Sequence, residues 1–401
     1  MKKYVIFVCL SIFIILGIVG YLYIDSYRVK VDNKDVVIND EIILKVYEKY
    51  NVSDFFDTNN GKLLEDKEFD TNNIGIKKLE VLYLNKHNRK RKTYINYKVV
   101  DDVSPMILGG NSKTIKKGNK SSIEYLFISA DNYDASPKRE IIGDYDINSI
   151  GNYNLTLKVT DSSNNITTKD FVLNVVEKLP TSTQTGAKTY YKDIYTKHKN
   201  ENTKIGLDIS KWQGNVDFDK LLKNNVEFVM LRVGYQKDYN DTYVIDPYFY
   251  NNIKKLNELD IPVGIYFYTY ATSTEEAFEQ AMWVIDKIKD YKISLPVVFD
   301  FESWSDFSSL NLSLHDINEI SRTFLSTIKV NGYDAMNYSS KYYLENIWDI
   351  DEYPVWLAHY TSQTNYTGEY AMWQLCNNGR IEGINGDVDI NVLYNTSIIK
   401  K

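Results

Sequence analysis

The spacing of hydrophobic and polar positions changes three times along the chain. The first stretch, MKKYVIFVCLSIFIILGIVGYLYIDSYR, carries no charge from Tyr4 to Ile24, about 21 residues, enough to cross a bilayer as a helix. Lys2 and Lys3 precede it, so the positive-inside rule assigns residues 1–3 to the cytoplasm and the rest of the chain to the outside. The expectation is a transmembrane signal anchor over 4–24 that holds a single-pass protein on the cell membrane. Secretion after signal cleavage is the alternative, and Ile18-Val19-Gly20 offers it a poor cleavage site.

From about residue 30 to 177 apolar and polar residues alternate, the mark of half-buried strands. YNLTLKVTDSSNNITTKDFVLNVV alternates on both sides of a polar turn and reads as a hairpin. It has an internal echo, since FDTNNIGIKKLEVLYLNKHNRKRKTYINYKVV from Phe69 matches YDINSIGNYNLTLKVTDSSNNITTKDFVLNVV from Tyr145, about 76 residues later. Two β modules are expected, 30–102 and 103–177, each long enough for a small sandwich of about seven strands. VSPMI at Val103 and IGNYNLTLKVTDSSNN resemble the bacterial Ig-like modules of surface proteins. These modules read as a spacer, with binding of wall or of wall-spanning protein partners as the alternative. Over 178–203 apolar periodicity gives way to Ser, Thr, Lys and Asn, and a linker is expected.

From Lys204 to residue 401 short apolar strands alternate with amphipathic helical stretches. IGLDIS leads to VDFDKLLKNN, then VEFVMLRVG; PYFYNNIKKLNELD precedes IPVGIYFYTYA, and TEEAFEQAMWVIDKIKDY precedes LPVVFDFES. Repeated βα units imply a parallel sheet, and this many in about 200 residues imply a compact (β/α) TIM-like barrel. The expected fold is therefore multidomain: helix, two all-β modules and a C-terminal barrel.

Composition narrows the partners. With 401 residues and a net charge of −7 there is no basic field to attract nucleic acid. The densest basic run, HNRKRK at 87–92, fits an exposed hairpin turn. Cys9 and Cys376 stand too far apart in context to form a disulfide framework. His87, His198, His315 and His359 follow no metal-ligand spacing, so neither metal nor cofactor is expected.

In a barrel of this class the active site lies at the carboxyl ends of the strands. There the sequence places Asp208 and Ser210, Arg232, Tyr266 and Tyr268, Asp300 and Glu302, Tyr338, Trp356 and Tyr360, Trp373 and Gln374, and finally Asp387 and Asp389. Each has a bland alternative: a strand-end acid can be a cap, an aromatic can be core, and Arg232 can neutralise a neighbouring acid. Asp300 and Glu302 are harder to dismiss, because residues i and i+2 of a strand share a face and two acids there repel each other. Aromatic rings beside paired acids suit a neutral sugar polymer, whose glycosidic bond is handled by two carboxyl groups.

The blocks IGLDISKWQGNVDF, FVMLRVGYQ, IPVGIYFYTYA, LPVVFDFE, PVWLAHY and MWQLCNNGRIEGINGDVDIN, in this order, resemble the glycoside hydrolase family 25 lysozymes. The resemblance implies an irregular (β/α) barrel that cleaves the β-1,4 bond between N-acetylmuramic acid and N-acetylglucosamine in peptidoglycan with retention of configuration. It implies Glu302 as general acid/base and Asp300 as its companion, with Asp208 and Asp389 as the other site acids. The substrate-binding set expected around them is Tyr266, Tyr268, Arg232, Tyr338, Trp356, Tyr360 and Trp373. Asp300 would either attack the anomeric carbon or orient the substrate's acetamido group; the sequence leaves both routes open. Phe267 departs from the family, many members of which have His there, and Val298 stands where chitinase-like barrels have a further Asp. The partners implied are peptidoglycan glycan strands outside and the cytoplasmic membrane through the anchor. A wall-binding protein with an inactive barrel is the alternative from another class.

Overall fold

The computed structural model describes residues 15–20, 30–31, 41–180, 186–239 and 242–399. The chain divides into two compact units, Met1–Val103 and Ser104–Lys401.

The proposed anchor over 4–24 lies mostly outside the described residues. Of it, only 15–20 are described, and they are helical. Among the described residues no helix is long and apolar enough to cross a membrane. This corrects the expectation of a transmembrane helix and of a single-pass membrane location.

The β modules also differ from expectation. In the first unit, Lys30–Val31, Ile42–Lys45, Gly61–Leu63, Gly75–Asn85 and Lys90–Val100 make one 5-stranded sheet. In the second unit, Ser112–Lys116, Lys138–Ile142, Gly151–Thr160 and Ile166–Val176 make a 4-stranded sheet, beside a 2-stranded ribbon of Met106–Leu108 and Ile128–Ala130. Among the described residues neither module shows a seven-strand sandwich of two sheets, and the Ig-like description is not supported. The strands are too few because the connecting segments fold as turns and 3-10 pieces such as Val52–Asp54 and Ile123–Leu126. The repeat itself is visible. The hairpin Gly75–Asn85/Lys90–Val100 recurs as Gly151–Thr160/Ile166–Val176, and in each copy a short earlier strand runs parallel to the hairpin's second strand. Alternation buries Leu155, Leu157 and Val159 against Phe171, Leu173 and Val175.

Eight strands close the barrel: β1 Lys204–Ile209, β2 Val229–Gln236, β3 Val263–Thr269, β4 Val297–Phe301, β5 Ala335–Ser340, β6 Val355–Ala358, β7 Met372–Arg380 and β8 Val388–Leu393. Neighbours from β1 to β7 pair in parallel. β8 runs the other way and pairs with both β1 and β7, closing the ring. The expected all-parallel sheet is thus broken at one strand. β7 and β8 are joined by a short turn through Gly383 and Gly386, both at positive φ, and a parallel return would need a crossover of a dozen or more residues.

Alternation sorts the barrel strands into two cores. Phe228, Met230, Val298, Met336, Trp356, Met372 and Leu393 fill the interior. Val297, Phe299 and Phe301 face outward with Phe267 to meet the helices Thr274–Ile288 and Leu314–Val330. The C-terminal part of the expected linker is structured. Thr189–Tyr190 pairs with Gly379–Arg380, and the Tyr191 hydroxyl lies 3.0 Å from the carbonyls of Ile205 and Asn225.

Within the second unit the β module is fastened to the barrel. The Ser129 N–H donates to Ser308 Oγ at 2.8 Å, the Leu314 N–H to the Asp131 carbonyl at 2.7 Å, and the Gly109 N–H to the Tyr342 hydroxyl at 2.9 Å. Leu108 and Ala130 belong to the same buried cluster as the barrel's outer core.

Candidate active site

The inward positions of adjacent strands fall on common rungs. Tyr268, Asp300 and Tyr338 are successive register partners, and Tyr338 is in turn opposite Trp356. Asp208 on β1 lies directly opposite Asp389 on β8. Glu302 follows the last residue of β4, one rung above Asp300. These side chains line a cavity of about 320 Å³ together with Ser210, Trp212, Gln213, Arg232, Tyr266, Tyr360, Gln374 and Asn377.

Ten of the eleven expected site residues meet in this cavity: Glu302, Asp300, Asp208, Asp389, Tyr266, Tyr268, Arg232, Tyr338, Trp356 and Tyr360. The eleventh, Trp373, does not line it. Neighbouring residues of a strand face opposite ways, so Gln374 points in while the Trp373 indole N–H donates outside to the His359 carbonyl at 2.9 Å. Asp387 is also elsewhere, paired with Lys188 and Arg380, each at 2.8 Å.

Four carboxyl groups share this space, and each is shifted upward. Asp300 is buried, and loss of water raises its carboxyl well above the usual range, with the Glu302 charge and hydrogen bond adding to the shift. Its Oδ1 is buried without a hydrogen-bond partner. Glu302 is open to solvent along the cleft but crowded by protein on its other sides. Burial still raises it, while its hydrogen bond with Asp300 pulls it down. Both carboxyls are thus raised by burial, the deeper Asp300 more strongly than Glu302. Burial therefore acts on Asp300 as well as on Glu302, the residue expected to carry the proton. Asp208 and Asp389 form a second pair. Burial raises both, and Asp389, beside the Asp208 charge, is pushed up to about 10.

What holds the carboxylates is a set of amides. Gln374 Nε2 donates to Asp208 at 3.1 Å, and its Oε1 accepts from the hydroxyls of Tyr338 and Tyr360 at 2.8 and 3.1 Å. Asn391 Nδ2 donates to the same Asp208 oxygen at 2.7 Å, while its Oδ1 accepts from the Trp356 indole at 2.8 Å. Asn391 was not expected here; its signal is the i+2 spacing from Asp389 in VDIN, the same spacing that singled out Glu302. Arg232 is engaged by Asp246, whose Oδ2 accepts from Nε at 2.9 Å and Nη2 at 2.7 Å. Its charge still favours the ionised form of Asp300. At the rim Trp212 stands 76% exposed on the short turn after β1, with Lys211 Nζ 5.1 Å above its ring. An indole left in water beside buried acids offers an apolar face to a ligand.

Comparison with known proteins finds relatives of the C-terminal part of the chain. Residues 207–384 match the family model described as Glycosyl hydrolases family 25. The uncharacterized protein YegX of Escherichia coli K12 is 28% identical over 195 residues, covering 48% of this chain and 70% of the relative. An autolytic lysozyme of Clostridium acetobutylicum is 25% identical over 189 residues, covering 46% of this chain and 54% of the relative. Among solved structures, the modular autolysin LytC of Streptococcus pneumoniae in complex with a synthetic peptidoglycan ligand is similar at 26% identity and a TM-score of 0.43, over 60% of this chain and 56% of that one.

Proposed function

We propose, from the premise that this chain carries a family 25 glycosyl hydrolase domain and is a glycosidase of the lysozyme type, that its barrel cuts peptidoglycan between N-acetylmuramic acid and N-acetylglucosamine. The observation that carries the reading is the convergence of Asp208, Asp300, Glu302 and Asp389 in one cavity walled by Tyr266, Tyr338, Trp356 and Tyr360. Four acids so close cannot all ionise at neutral pH. The crowding keeps a proton available where a departing sugar oxygen needs one.

In this reading Glu302, the member of the pair open to the cleft, delivers that proton. When glycan enters and displaces water, Glu302 loses its solvation and holds a proton more firmly. Glu302 protonates the glycosidic oxygen as the bond breaks, then takes a proton from water in the second step. Asp300, left ionised, stands under the anomeric centre. Its Oδ1 has no protein donor, which favours a role in accepting the acetamido N–H of the substrate over direct attack. Either route retains configuration. Asp208 and Asp389, braced by Gln374 and Asn391, hold the opposite wall.

Mass spectrometry of digested peptidoglycan tests the assignment. The expected products carry new reducing N-acetylmuramic acid ends, absent with Glu302→Gln. Products ending in reducing N-acetylglucosamine, or none from the unaltered protein, would overturn it.

A further inference from the structure

We infer that the hairpin Gly75–Asn85/Lys90–Val100 of the first unit binds an anionic wall polymer, a chain of repeating phosphodiesters carried by peptidoglycan. A polymer of the wall follows from the muramidase reading above; the charge that holds it does not depend on that reading. Between Gly75 and Val100 stand six lysines and two arginines against one carboxylate, Glu80, in a chain whose net charge is −7. The internal repeat supplies a control. Its second copy, Gly151–Val176, has two lysines and two aspartates, yet it forms the same hairpin with the same kind of parallel neighbour. At the offset of the repeat, Lys78, Arg89, Lys90, Lys92 and Lys98 fall on Asn154, Asn165, Ile166, Thr168 and Asn174, all neutral. The fold therefore does not require the charge.

Strand alternation gathers much of it on one face. Val81, Tyr83, Ile95 and Tyr97 are buried on one side of the hairpin, so Lys78, Lys90, Lys92 and Lys98 stand on the other. Lys62 of the neighbouring strand joins them, since it lies opposite Leu84, which lies opposite Lys90. Among the described residues only Lys92 of these five pairs with a carboxylate, Glu80 at 3.3 Å. The other four are exposed, and Lys78 Nζ stands 4.2 Å above the ring of Tyr94. Like charges side by side on a sheet cost stability, and an anionic partner relieves that cost. From Lys90 to Lys98 the row runs about 27 Å, at about 3.4 Å per residue. A single phosphate would meet one of these cations, whereas a phosphodiester chain lying along the strand meets several in succession. Each lysine offers it a compact charge with three donors. Nucleic acid suits the face less well, because one tyrosine already covered by a lysine gives bases little to stack on.

The test uses the full chain and a synthetic oligomer of glycerol phosphate, with binding followed by calorimetry. The oligomer is expected to bind, and its affinity to fall at least tenfold between about 50 and about 300 mM salt. Lys78→Gln, Lys90→Gln and Lys98→Gln combined should weaken it about tenfold, while Asn154→Gln with Asn174→Gln in the second hairpin should leave it within about twofold. No binding of the oligomer, or equal binding by the triple variant, would overturn the assignment. Tighter binding of single-stranded DNA, or of vesicles of equal parts phosphatidylglycerol and phosphatidylcholine, would do the same. Cleavage of a soluble glycan free of phosphodiesters reports the muramidase separately and should be unchanged in the triple variant. If the unaltered protein leaves that glycan intact, the muramidase reading fails, whatever the oligomer does.

Discussion

Glu302 and Asp300 differ by one rung of a strand, yet the protein treats them differently. Asp300 is buried and Glu302 is open to the cleft, so loss of water raises Asp300 the more strongly and leaves Glu302 accessible. Replacing Glu302 with Gln should cost about 10²–10⁴ in kcat, the range for a lost general acid, while wall binding in a pull-down persists. Asp389 offers a prediction in stability. Its folded value of about 10 lies far above an ordinary Asp near 3.9. Between the two, the folded chain keeps a proton that the unfolded chain has released. Its contribution is therefore complete below about pH 4 and lost as pH rises toward 10. Asp389→Asn, which can still donate to Asp208, should match the parent's Tm at pH 4 and exceed it at pH 8. A difference of opposite sign would refute the assignment. Individual acids of this kind were legible from the sequence because strand parity is simple. The order of their shifts was not, because it depends on which carboxyl loses more water.

At the scale of elements, the site is a product of strand register. The rung Tyr268–Asp300–Tyr338 and the pair Asp208–Asp389 are backbone alignments before they are side-chain contacts. Alternation predicted which residues face inward, and Phe267, between Tyr266 and Tyr268, lies in the outer core. It placed Gln374 at a strand end but passed over Asn391, and only the fold shows that each satisfies several partners. It also put Trp373 in the site beside Gln374, although neighbours on a strand cannot share a face. Asn391→Ala would strand the Trp356 indole and remove a donor from Asp208. Buried groups left without partners cost about 1–3 kcal/mol each, so thermal denaturation should show a clear loss of stability. Asn391→Asp should be worse, since it would add a fifth acid.

For the whole molecule, hydrophobic patterning revealed the repeat and the barrel but misjudged what surrounds them. A long uncharged run reads as a membrane span on length alone, whereas no described helix is long and apolar enough for one. Alternating strands read as sandwiches, but pattern does not count how many strands a sheet collects. The attachment of the second β module could not be read, because it uses backbone groups: Leu314 and His315 at the start of a barrel helix donate to carbonyls of Asp131 and Asn132. Those N–H groups have no partner within the helix. A fragment of residues 186–401 should consequently melt several degrees below one of residues 104–401, as scanning calorimetry can show. Equal melting temperatures would mean the contacts contribute nothing.

The reversed strand β8 also bears on synthesis. It supplies Asp389 and Asn391 and is the piece that joins β7 to β1, so the ring stays open until it has been made. A chain made only through β7 contains Glu302 and Asp300 but lacks the strand that forms one wall of the cleft. Activity on glycan is therefore expected only once β8 has paired with both of its neighbours.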